Sequence, residues 1–181
     1  LIVIDIQNDY FPGGKMEVEG SVEAGLQAAS AISAFRGKKL SIIHVQHFSV
    51  RPGPSFLLPD TDGAEIHESV KPLPSEKVIL KHYPNSFRDT ELRTVLDEAE
   101  TKHLVVCGMM SHMCIDSTVR SAFDQGFRVT VLSNACATRA LRFGDVDVSA
   151  RLVHAASMAA LGAVFARVTS AEQYLSELRC D

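Results

Sequence analysis

Three side chains that together can hydrolyse a carbonyl compound stand at the ends of separate apolar runs. Asp5 ends the run at 1–4, Lys81 follows the run at 78–80, and Cys114 follows the run at 104–107 after a short connection. A thiolate is a strong nucleophile, and a neighbouring carboxylate can generate it by taking the thiol proton. These residue types therefore predict covalent hydrolysis by a cysteine, with a carboxylate and a lysine as partners.

Cys114 is expected where a buried strand passes into a helix. The first N–H groups of a helix lack partners within the helix, and the dipole there is positive. Both features lower the pKa of a thiol, and the same N–H groups can bind a developing oxyanion. Taken alone, the residue could equally be a small buried hydrophobe, as free cysteines commonly are.

Asp5 and Lys81 each have a second interpretation. Asp5 could cap a helix or form a salt bridge within its loop, and Asp9 is a competing acid further along that loop. Lys81 could extend its ammonium group to solvent. The shared location at strand ends favours the chemical interpretation for Asp5, Lys81 and Cys114.

Apolar runs alternate with amphipathic stretches along the chain, a pattern typical of α/β proteins. The predicted strands are Leu1–Ile4, Leu40–Val45, Lys77–Leu80, His103–Cys107, Phe127–Leu132 and Ala163–Val168. The predicted helices are Val22–Phe35, Asp89–Glu100, Cys114–Gln125, Asp145–Leu161 and Ala171–Leu178. We expect a single domain, 1–181, built as a three-layer α-β-α sandwich around a central, mainly parallel six-stranded sheet in a Rossmann-like arrangement. Ligands bind beyond the carboxyl ends of such strands.

Composition narrows the function classes. The 181 residues are 46% hydrophobic and carry a net charge of −4 without a Lys/Arg cluster, which argues against nucleic acid as a partner. No apolar run approaches the ~20 residues of a membrane span. The chain opens on Leu1-Ile2-Val3-Ile4 without a charged leader pattern or cleavage-site pattern, and we expect a cytoplasmic protein with further residues before Leu1. The four cysteines, Cys107, Cys114, Cys136 and Cys180, form no CxxC pair and are expected to be reduced.

The stretch 46–76 is the one long irregular segment, with five prolines between Pro52 and Pro74. Loops of this length usually carry function, and we expect residues 46–60 to act as a partial lid. His44, His47 and His67 could suggest a metal site. On a continuing strand, however, His44 and His47 would face opposite sides, and we predict neither a metal nor a cofactor.

Four segments together resemble the isochorismatase-like cysteine hydrolases, a superfamily that includes nicotinamidases, N-carbamoylsarcosine amidohydrolases and ureidoacrylate-type amidohydrolases. The segments are 1–14 (LIVIDIQNDYFPGG), 63–67 (GAEIH), 81–87 (KHYPNSF) and 108–114 (GMMSHMC). The segments 1–14, 81–87 and 108–114 are the strongest and occur in the family's order, and 63–67 also fits a loop pattern common in the family. The resemblance extends over nearly the whole chain. It implies the isochorismatase-like hydrolase fold and a homo-oligomer, either a dimer or a tetramer.

The resemblance also implies roles for individual residues. The family's Asp–Lys–Cys triad maps to Asp5, Lys81 and Cys114, and its oxyanion hole maps to the backbone N–H groups of Met110 and Cys114. A non-proline cis peptide bond is expected between Met109 and Met110. We expect the substrate to contact Gln7, Asn8, Tyr10, Phe56 and His112. His112 could also serve as an acid or base, although lining the pocket is the favoured role.

Two departures from the family's patterns narrow the substrate. Metal-binding nicotinamidases carry an Asp-x-His pattern after the second strand, whereas residues 45–49 read VQHFS without an aspartate. Isochorismatases of siderophore pathways have glycine where this chain has Cys114. The resulting expectation is a hydrolase that cleaves a C–N bond of a small amide or carbamoyl compound through a thioester.

Three alternatives remain open on the sequence. The chain could be a catalytically silent small-molecule-binding member of the fold, or it could hydrolyse a non-amide substrate as isochorismatases do. It could also be a thiol redox protein in which Cys107 or Cys136 resolves Cys114. Redox motifs usually place their two thiols closer together, as in C-x-x-C, which disfavours the last alternative.

Overall fold

Six parallel strands form the central sheet of this computed structural model, which describes residues 1–50, 53 and 55–179. The strands of this sheet are β1 (Ile2–Ile4), β2 (Ile43–His47), β3 (Lys77–Lys81), β4 (His103–Met109), β5 (Arg128–Ala137) and β8 (Arg167–Thr169). Two further strands, β6 (Leu141–Phe143) and β7 (Val146–Val148), pair with each other in a separate sheet. The helices are α1 (Ser21–Gly37), α2 (Leu92–Glu98), α3 (Asp116–Asp124), α4 (Ala150–Val164) and α5 (Ala171–Leu178). None of the helices within the described ranges has the length and apolar character needed to cross a bilayer.

The strand order predicts where along the sheet a ligand can bind. The six strands lie in the order β3-β2-β1-β4-β5-β8, so the chain builds outward from β1 in one direction and then resumes on the other side at β4. Such a reversal opens a crevice at the carboxyl ends of the two central strands. Asp5 follows β1, and the segment that carries Cys114 follows β4, so these two residues flank the crevice.

Helices cover both faces of the sheet. Successive side chains of a strand point to opposite faces, and in β1 Val3 packs with the core beneath α1 and α5, whereas Ile2 and Ile4 pack with the core beneath α2, α3 and α4. All three are buried, because a central parallel strand is covered on both sides. The expected α/β three-layer fold with six parallel strands is confirmed.

The region 141–169 differs from the sequence-based expectation. An antiparallel hairpin of β6 and β7 occupies Leu141–Val148, and the predicted helix from Asp145 to Leu161 was wrong at its start. Helix α4 begins at Ala150 because the Ser149 hydroxyl accepts a hydrogen bond from the Leu152 N–H, a typical N-cap. The helix runs on to Val164, so the last strand starts at Arg167 rather than at Ala163.

The second strand also begins and ends later than its apolar residues indicated. It covers Ile43–His47, not Leu40–Val45, and it pairs with β3 in a register that sets His47 opposite Lys81. The polar residues Gln46 and His47 therefore belong to the strand and reach the carboxyl edge of the sheet. This shift brings a histidine to the crevice.

Candidate active site

A fully buried ion pair joins Asp5 to Lys81. The Lys81 Nζ atom lies 2.7 Å from Asp5 Oδ2, and both side chains have 0% exposure. Lys81 Nζ also donates to the carbonyl of Pro84 at 3.0 Å. Two charges so far from water persist only when each satisfies the other, so the pair acts as one unit.

The local backbone turns the Asp5 carboxylate into the crevice. The Asp5 N–H still donates to the Val45 carbonyl at 3.0 Å, which continues the pairing of β1 with β2. Its φ of 51° then lies in the left-handed region, which few residues other than glycine adopt. The strand direction ends at this residue, and the carboxylate meets the Lys81 ammonium group.

Cys114 lies in a single π-helical turn, Ser111–Ile115, between β4 and α3. It therefore precedes the regular helix, which begins at Asp116 rather than at Cys114 as the sequence predicted. Turns of this type widen the backbone spiral and occur often at functional sites. The thiol is buried, and its sulfur lies within 4.8 Å of an Asp5 carboxylate oxygen.

The pKa of the Cys114 thiol is raised, not lowered as its place before a helix led us to expect. Burial is the largest cause, and the adjacent Asp5 carboxylate adds to it; together they outweigh the opposing effect of Lys81 and raise the pKa to about 12. The resting thiol is consequently protonated, and the carboxylate that could take its proton has an oxygen within 4.8 Å of the sulfur.

Lys81 remains a cation in this buried setting. Burial by itself lowers the pKa of its ammonium group, but the charge of Asp5 and then that of Cys114 more than offset this effect. The pKa of Lys81 is therefore above its ordinary value. A fixed positive charge beside both groups favours any negative charge that moves between Asp5 and Cys114.

Gly108 allows β4 to approach β1 closely enough to bring these groups together. It pairs with Ile4 across the two strands, and a Cβ atom at Gly108 would lie 1.9 Å from the Ile4 carbonyl oxygen. Its φ of 130° is also a value that residues other than glycine rarely adopt. Both constraints require glycine at this position.

The backbone that follows Gly108 has a defined shape around Met110. The peptide bond between Met109 and Met110 is cis, and the Met110 carbonyl accepts hydrogen bonds from the N–H groups of Met113 and Ile115 at 3.0 and 3.3 Å. These bonds fix the turn that carries Cys114. The role of the Met110 and Cys114 N–H groups as an oxyanion hole stays a prediction.

Tyr10 and Phe56, which the sequence analysis expected to contact the substrate, pack against each other. Their ring centroids are 6.0 Å apart and the rings are tilted by 49°. The pKa of Tyr10 is raised well above its usual value by burial and, in decreasing order, by the charges of Cys114 and Asp5. The phenol is thus close to the candidate nucleophile and base and stays protonated.

The side-chain amides of Gln7 and Asn8, which we expected to contact the substrate, form hydrogen bonds with backbone groups. Gln7 is fully buried; its Nε2 donates to the carbonyls of His47 and Ala64 at 2.9 and 2.6 Å, and its Oε1 accepts from the His47 N–H at 2.8 Å. Asn8 Nδ2 donates to the Asp62 carbonyl at 2.9 Å. Both residues attach the 47–64 segment to the end of β1.

His112 and its neighbour Ser111 anchor the turn that carries Cys114. His112 Nδ1 hydrogen-bonds with Thr138 Oγ1, and Ser111 Oγ contacts His154 Nδ1 at 2.8 Å. Burial and then the charge of Arg139 lower the pKa of His112. The observed contacts make His112 a support for the turn.

Asp9, the competing acid, is engaged in holding loops. Its Oδ2 accepts from the Leu57 N–H at 2.6 Å and its Oδ1 from the Lys15 N–H at 3.1 Å. Gly63 packs directly against the carboxylate, since a Cβ at Gly63 would lie 2.2 Å from Asp9 Oδ1. With both oxygens committed, Asp9 is a structural residue, and Asp5 is the acid that faces the thiol.

His47 is the residue that sequence reasoning placed in no role at this site. Its ring nitrogen lies with an Asp5 carboxylate oxygen and the Cys114 sulfur in a group whose atoms are all within 4.8 Å of one another. His44 instead contacts Glu76 at 3.0 Å, and His67 stacks on Phe11 at 3.5 Å, so the three histidines do not converge. The alternation of a strand extended to position 47 could have revealed this location.

Comparison with known proteins gives a consistent assignment. Residues 1–173 match the family model of the isochorismatase domain. An uncharacterized isochorismatase family protein of Bacillus subtilis, YddQ, is 51% identical over 175 residues, covering 97% of each chain. A crystal structure of a protein assigned to the isochorismatase hydrolases of Oleispira antarctica superposes with a TM-score of 0.93 at 45% identity, covering 97% of this chain and 94% of that one.

Relatives with named reactions include hydrolases of amide-type compounds. A streptothricin hydrolase of Streptomyces noursei is 34% identical over 145 residues, which cover 76% of this chain and 49% of that protein. A nicotinamidase of Arabidopsis thaliana is 24% identical over 150 residues. An N-carbamoylsarcosine amidase of Thermoplasma acidophilum shares the fold at a TM-score of 0.79 and 20% identity.

Proposed function

The chain belongs to the isochorismatase family, and we propose that within it the protein is a cysteine hydrolase that cleaves a C–N bond of a small amide or carbamoyl compound. The observation that carries the proposal is the buried 2.7 Å ion pair of Asp5 and Lys81, with the Cys114 sulfur within 4.8 Å of an Asp5 carboxylate oxygen. A base, a fixed cation and a nucleophile gathered at one place are the parts that covalent hydrolysis requires.

The first half-reaction forms a thioester. Asp5 takes the proton from Cys114, the thiolate forms a bond to the carbonyl carbon, and the carbonyl π electrons move to oxygen. The N–H groups of Met110 and Cys114 hold this oxyanion, an interaction whose loss typically slows turnover ~10²–10³-fold. The oxyanion then collapses, the C–N bond breaks, and ammonia or an amine leaves with the proton held by Asp5.

The second half-reaction releases the acid. Asp5, again a carboxylate, takes a proton from water as the water oxygen attacks the thioester carbonyl. The C–S bond breaks, the product acid departs, and the proton on Asp5 returns to the sulfur. Lys81 stays charged throughout and offsets the negative charge on Asp5, Cys114 or the intermediate.

Burial of the thiol supports a small substrate. Cys114 is only 5% exposed. The proposed lid, 46–60, includes residues 51, 52 and 54, which lie outside the described part of the chain. A compact amide or carbamoyl group fits an approach of this kind, since it must reach a buried sulfur.

Ammonia release from a panel of primary amides and carbamoyl compounds tests the proposal. The wild-type protein should release ammonia from at least one member, and Cys114→Ala should release none while keeping the wild-type circular dichroism and thermal midpoint. Mass spectrometry of a quenched reaction should find an acyl group on Cys114. Undiminished hydrolysis by Cys114→Ala would rule out covalent catalysis.

Two exposed apolar side chains support a homo-oligomer as part of the proposal. Phe143 and Val146, on the β6–β7 hairpin, are 88% and 61% exposed. Side chains of this kind are commonly covered by another subunit. Light scattering should give a mass of two or four chains, and Phe143→Ser should lower it; a wild-type monomer would contradict the proposal.

A further inference from the structure

Three potential metal ligands of different chemical type converge at the crevice. One carboxylate oxygen of Asp5, one ring nitrogen of His47 and the sulfur of Cys114 all lie within 4.8 Å of one another. They come from three separate strand ends, those of β1, β2 and the segment after β4, so the tertiary structure and not local sequence assembles them.

The spacing is close to that of a tetrahedral ion. Zinc bonds of ~2.0–2.3 Å to oxygen, nitrogen and sulfur place neighbouring ligand atoms about 3.3–3.8 Å apart. Atoms already within 4.8 Å need to move by about 1 Å to reach that geometry, a shift that side-chain rotation can supply. Three protein ligands leave the fourth position for water.

The backbone of His47 is held firmly enough to act as a fixed arm of such a site. The two ends of the Gln7 amide bind the N–H and the carbonyl of His47 at 2.8 and 2.9 Å. These two bonds hold the backbone from which the imidazole side chain projects, and they involve only backbone atoms of His47. A ligand whose backbone is clamped loses little further freedom when it binds a metal.

The donor set selects the class of ion. Thiolate and imidazole favour Zn²⁺ and its softer relatives, whereas Mg²⁺ and Ca²⁺ prefer oxygen ligands. The ammonium group of Lys81, 2.7 Å from Asp5, repels any cation placed here, so a hard ion held by charge alone is disfavoured. A strong metal–sulfur bond is needed to offset that repulsion.

We propose that Asp5, His47 and Cys114 form a binding site for a thiophilic divalent cation, Zn²⁺ or Cd²⁺, whose occupancy excludes hydrolysis. On binding, the S–H bond of Cys114 breaks, a metal–sulfur bond forms, and the proton leaves to solvent. The sulfur lone pair that would attack a carbonyl and the carboxylate that would take the proton are then both engaged. Inhibition of hydrolysis rests on the proposed function, whereas metal binding does not.

Cadmium titration of the full chain tests the site directly. The ultraviolet cadmium–thiolate charge-transfer band should rise to one equivalent per chain in the wild type and be absent in Cys114→Ser. His47→Gln, which removes only the imidazole donor, should weaken Cd²⁺ binding at least about tenfold. His67→Gln is the matched control, because His67 stacks on Phe11 away from the group, and it should bind as the wild type does.

The outcomes separate this proposal from the hydrolase proposal. A charge-transfer band that persists in Cys114→Ser, or equal Cd²⁺ affinity in the wild type and His47→Gln, overturns the metal site. Circular dichroism of each variant ensures that lost binding is not lost folding. If Cd²⁺ binding depends on His47 but the protein has no amidase activity, the metal site is supported and the hydrolase proposal is refuted. Conversely, if Zn²⁺ inhibits the amidase activity of His47→Gln as strongly as that of the wild type, the metal site is refuted and the hydrolase proposal is unaffected.

Discussion

Gln7 binds both backbone polar atoms of His47, with its Oε1 accepting from the N–H at 2.8 Å and its Nε2 donating to the carbonyl at 2.9 Å. The same Nε2 donates to Ala64 at 2.6 Å. One buried side chain thus joins the end of β1 to the end of β2 and to the loop at 64. Asp5 lies two residues before Gln7, so the position of the candidate base depends on this connection.

Replacing Gln7 by Ala should destabilise the fold far more than replacing its neighbour. The change leaves the N–H and carbonyl groups of His47 without their partner, whereas the Ala64 carbonyl keeps the hydrogen bond from Gln46 Nε2 at 2.9 Å. At ~1–3 kcal/mol for each unsatisfied group, the expected loss is about 2 kcal/mol or more. Asn8→Ala, the control, removes one bond at a more exposed site and should lower the free energy of unfolding by less than ~1 kcal/mol. Urea denaturation of the two variants measures the difference, and equal losses would contradict this account of Gln7.

Gly108→Ala should prevent the native sheet from forming. The added Cβ would lie 1.9 Å from the Ile4 carbonyl oxygen, so β1 and β4 would have to separate at the crevice. Gly126→Ala is the matched control, since Gly126 also has a positive φ, of 89°, but nothing lies within 4 Å of its Cβ position. We expect a loss of the order of 1 kcal/mol at Gly126 and ~4 kcal/mol or more at Gly108. A similar thermal midpoint for both variants would show that the clash is relieved cheaply.

Asp5 and Lys81 should shift the reactivity of Cys114 in opposite directions. Asp5 raises the pKa of the thiol and Lys81 lowers it, with a wild-type pKa of about 12, so alkylation of Cys114 should still rise with pH at pH 9. Asp5→Asn should move the profile to lower pH, while Lys81→Met should move it to higher pH. Mass spectrometry of the Cys114 peptide after timed iodoacetamide treatment gives the rates. Shifts in the same direction for both variants would refute the assigned electrostatics.

Asp5→Asn should nevertheless lose both turnover and stability. The variant frees the thiolate but removes the group that accepts and returns the proton, so hydrolysis should fall below detection. It also leaves Lys81 buried without its carboxylate, and breaking a buried pair in this way costs about 3–5 kcal/mol. Ammonia release and urea denaturation measure the two effects. An active Asp5→Asn protein would exclude Asp5 as the base.

Glu76 should stabilise the protein in a defined pH range. Hydrogen bonding from Arg36 is the main cause that lowers the pKa of Glu76 from 4.5 to about 2, with smaller contributions from Leu73 and His44. A depressed folded-state pKa stabilises the fold fully above the unfolded value and loses that effect as pH falls toward 2. Wild type should therefore exceed Glu76→Gln by about 3 kcal/mol at pH 6, with the gap closing between about pH 4.5 and pH 2.

Denaturation of both proteins across this pH range supplies the test. Glu76 is 9% exposed, so solvent screening is limited, and Arg36 binds it through two nitrogens at 2.7 and 2.8 Å. Glu98→Gln is a suitable control, because Glu98 is an exposed residue of α2. A pH-independent gap between wild type and Glu76→Gln would show that the ion pair does not carry the effect.

The sequence by itself determined the class of fold and the edge of the sheet where chemistry should be sought. Apolar runs that alternate with amphipathic stretches can only be buried as a covered parallel sheet, and Asp5 and Lys81 stand where two such runs end. The β6–β7 hairpin escaped this reasoning, because strands of three mostly exposed residues, such as Leu141–Phe143, carry no apolar alternation.

Only the tertiary structure decided how the side chains at this edge meet. The order β3-β2-β1-β4-β5-β8 places the crevice between β1 and β4, and strand order is a set of non-local contacts that no local pattern encodes. The presence of His47 beside Asp5 and Cys114 depends on the same assembly. The pKa of the Cys114 thiol also depends on this assembly. The position of Cys114 before a helix considers only the local dipole and predicts a lowered pKa, whereas burial and the carboxylate of Asp5 from another strand raise it.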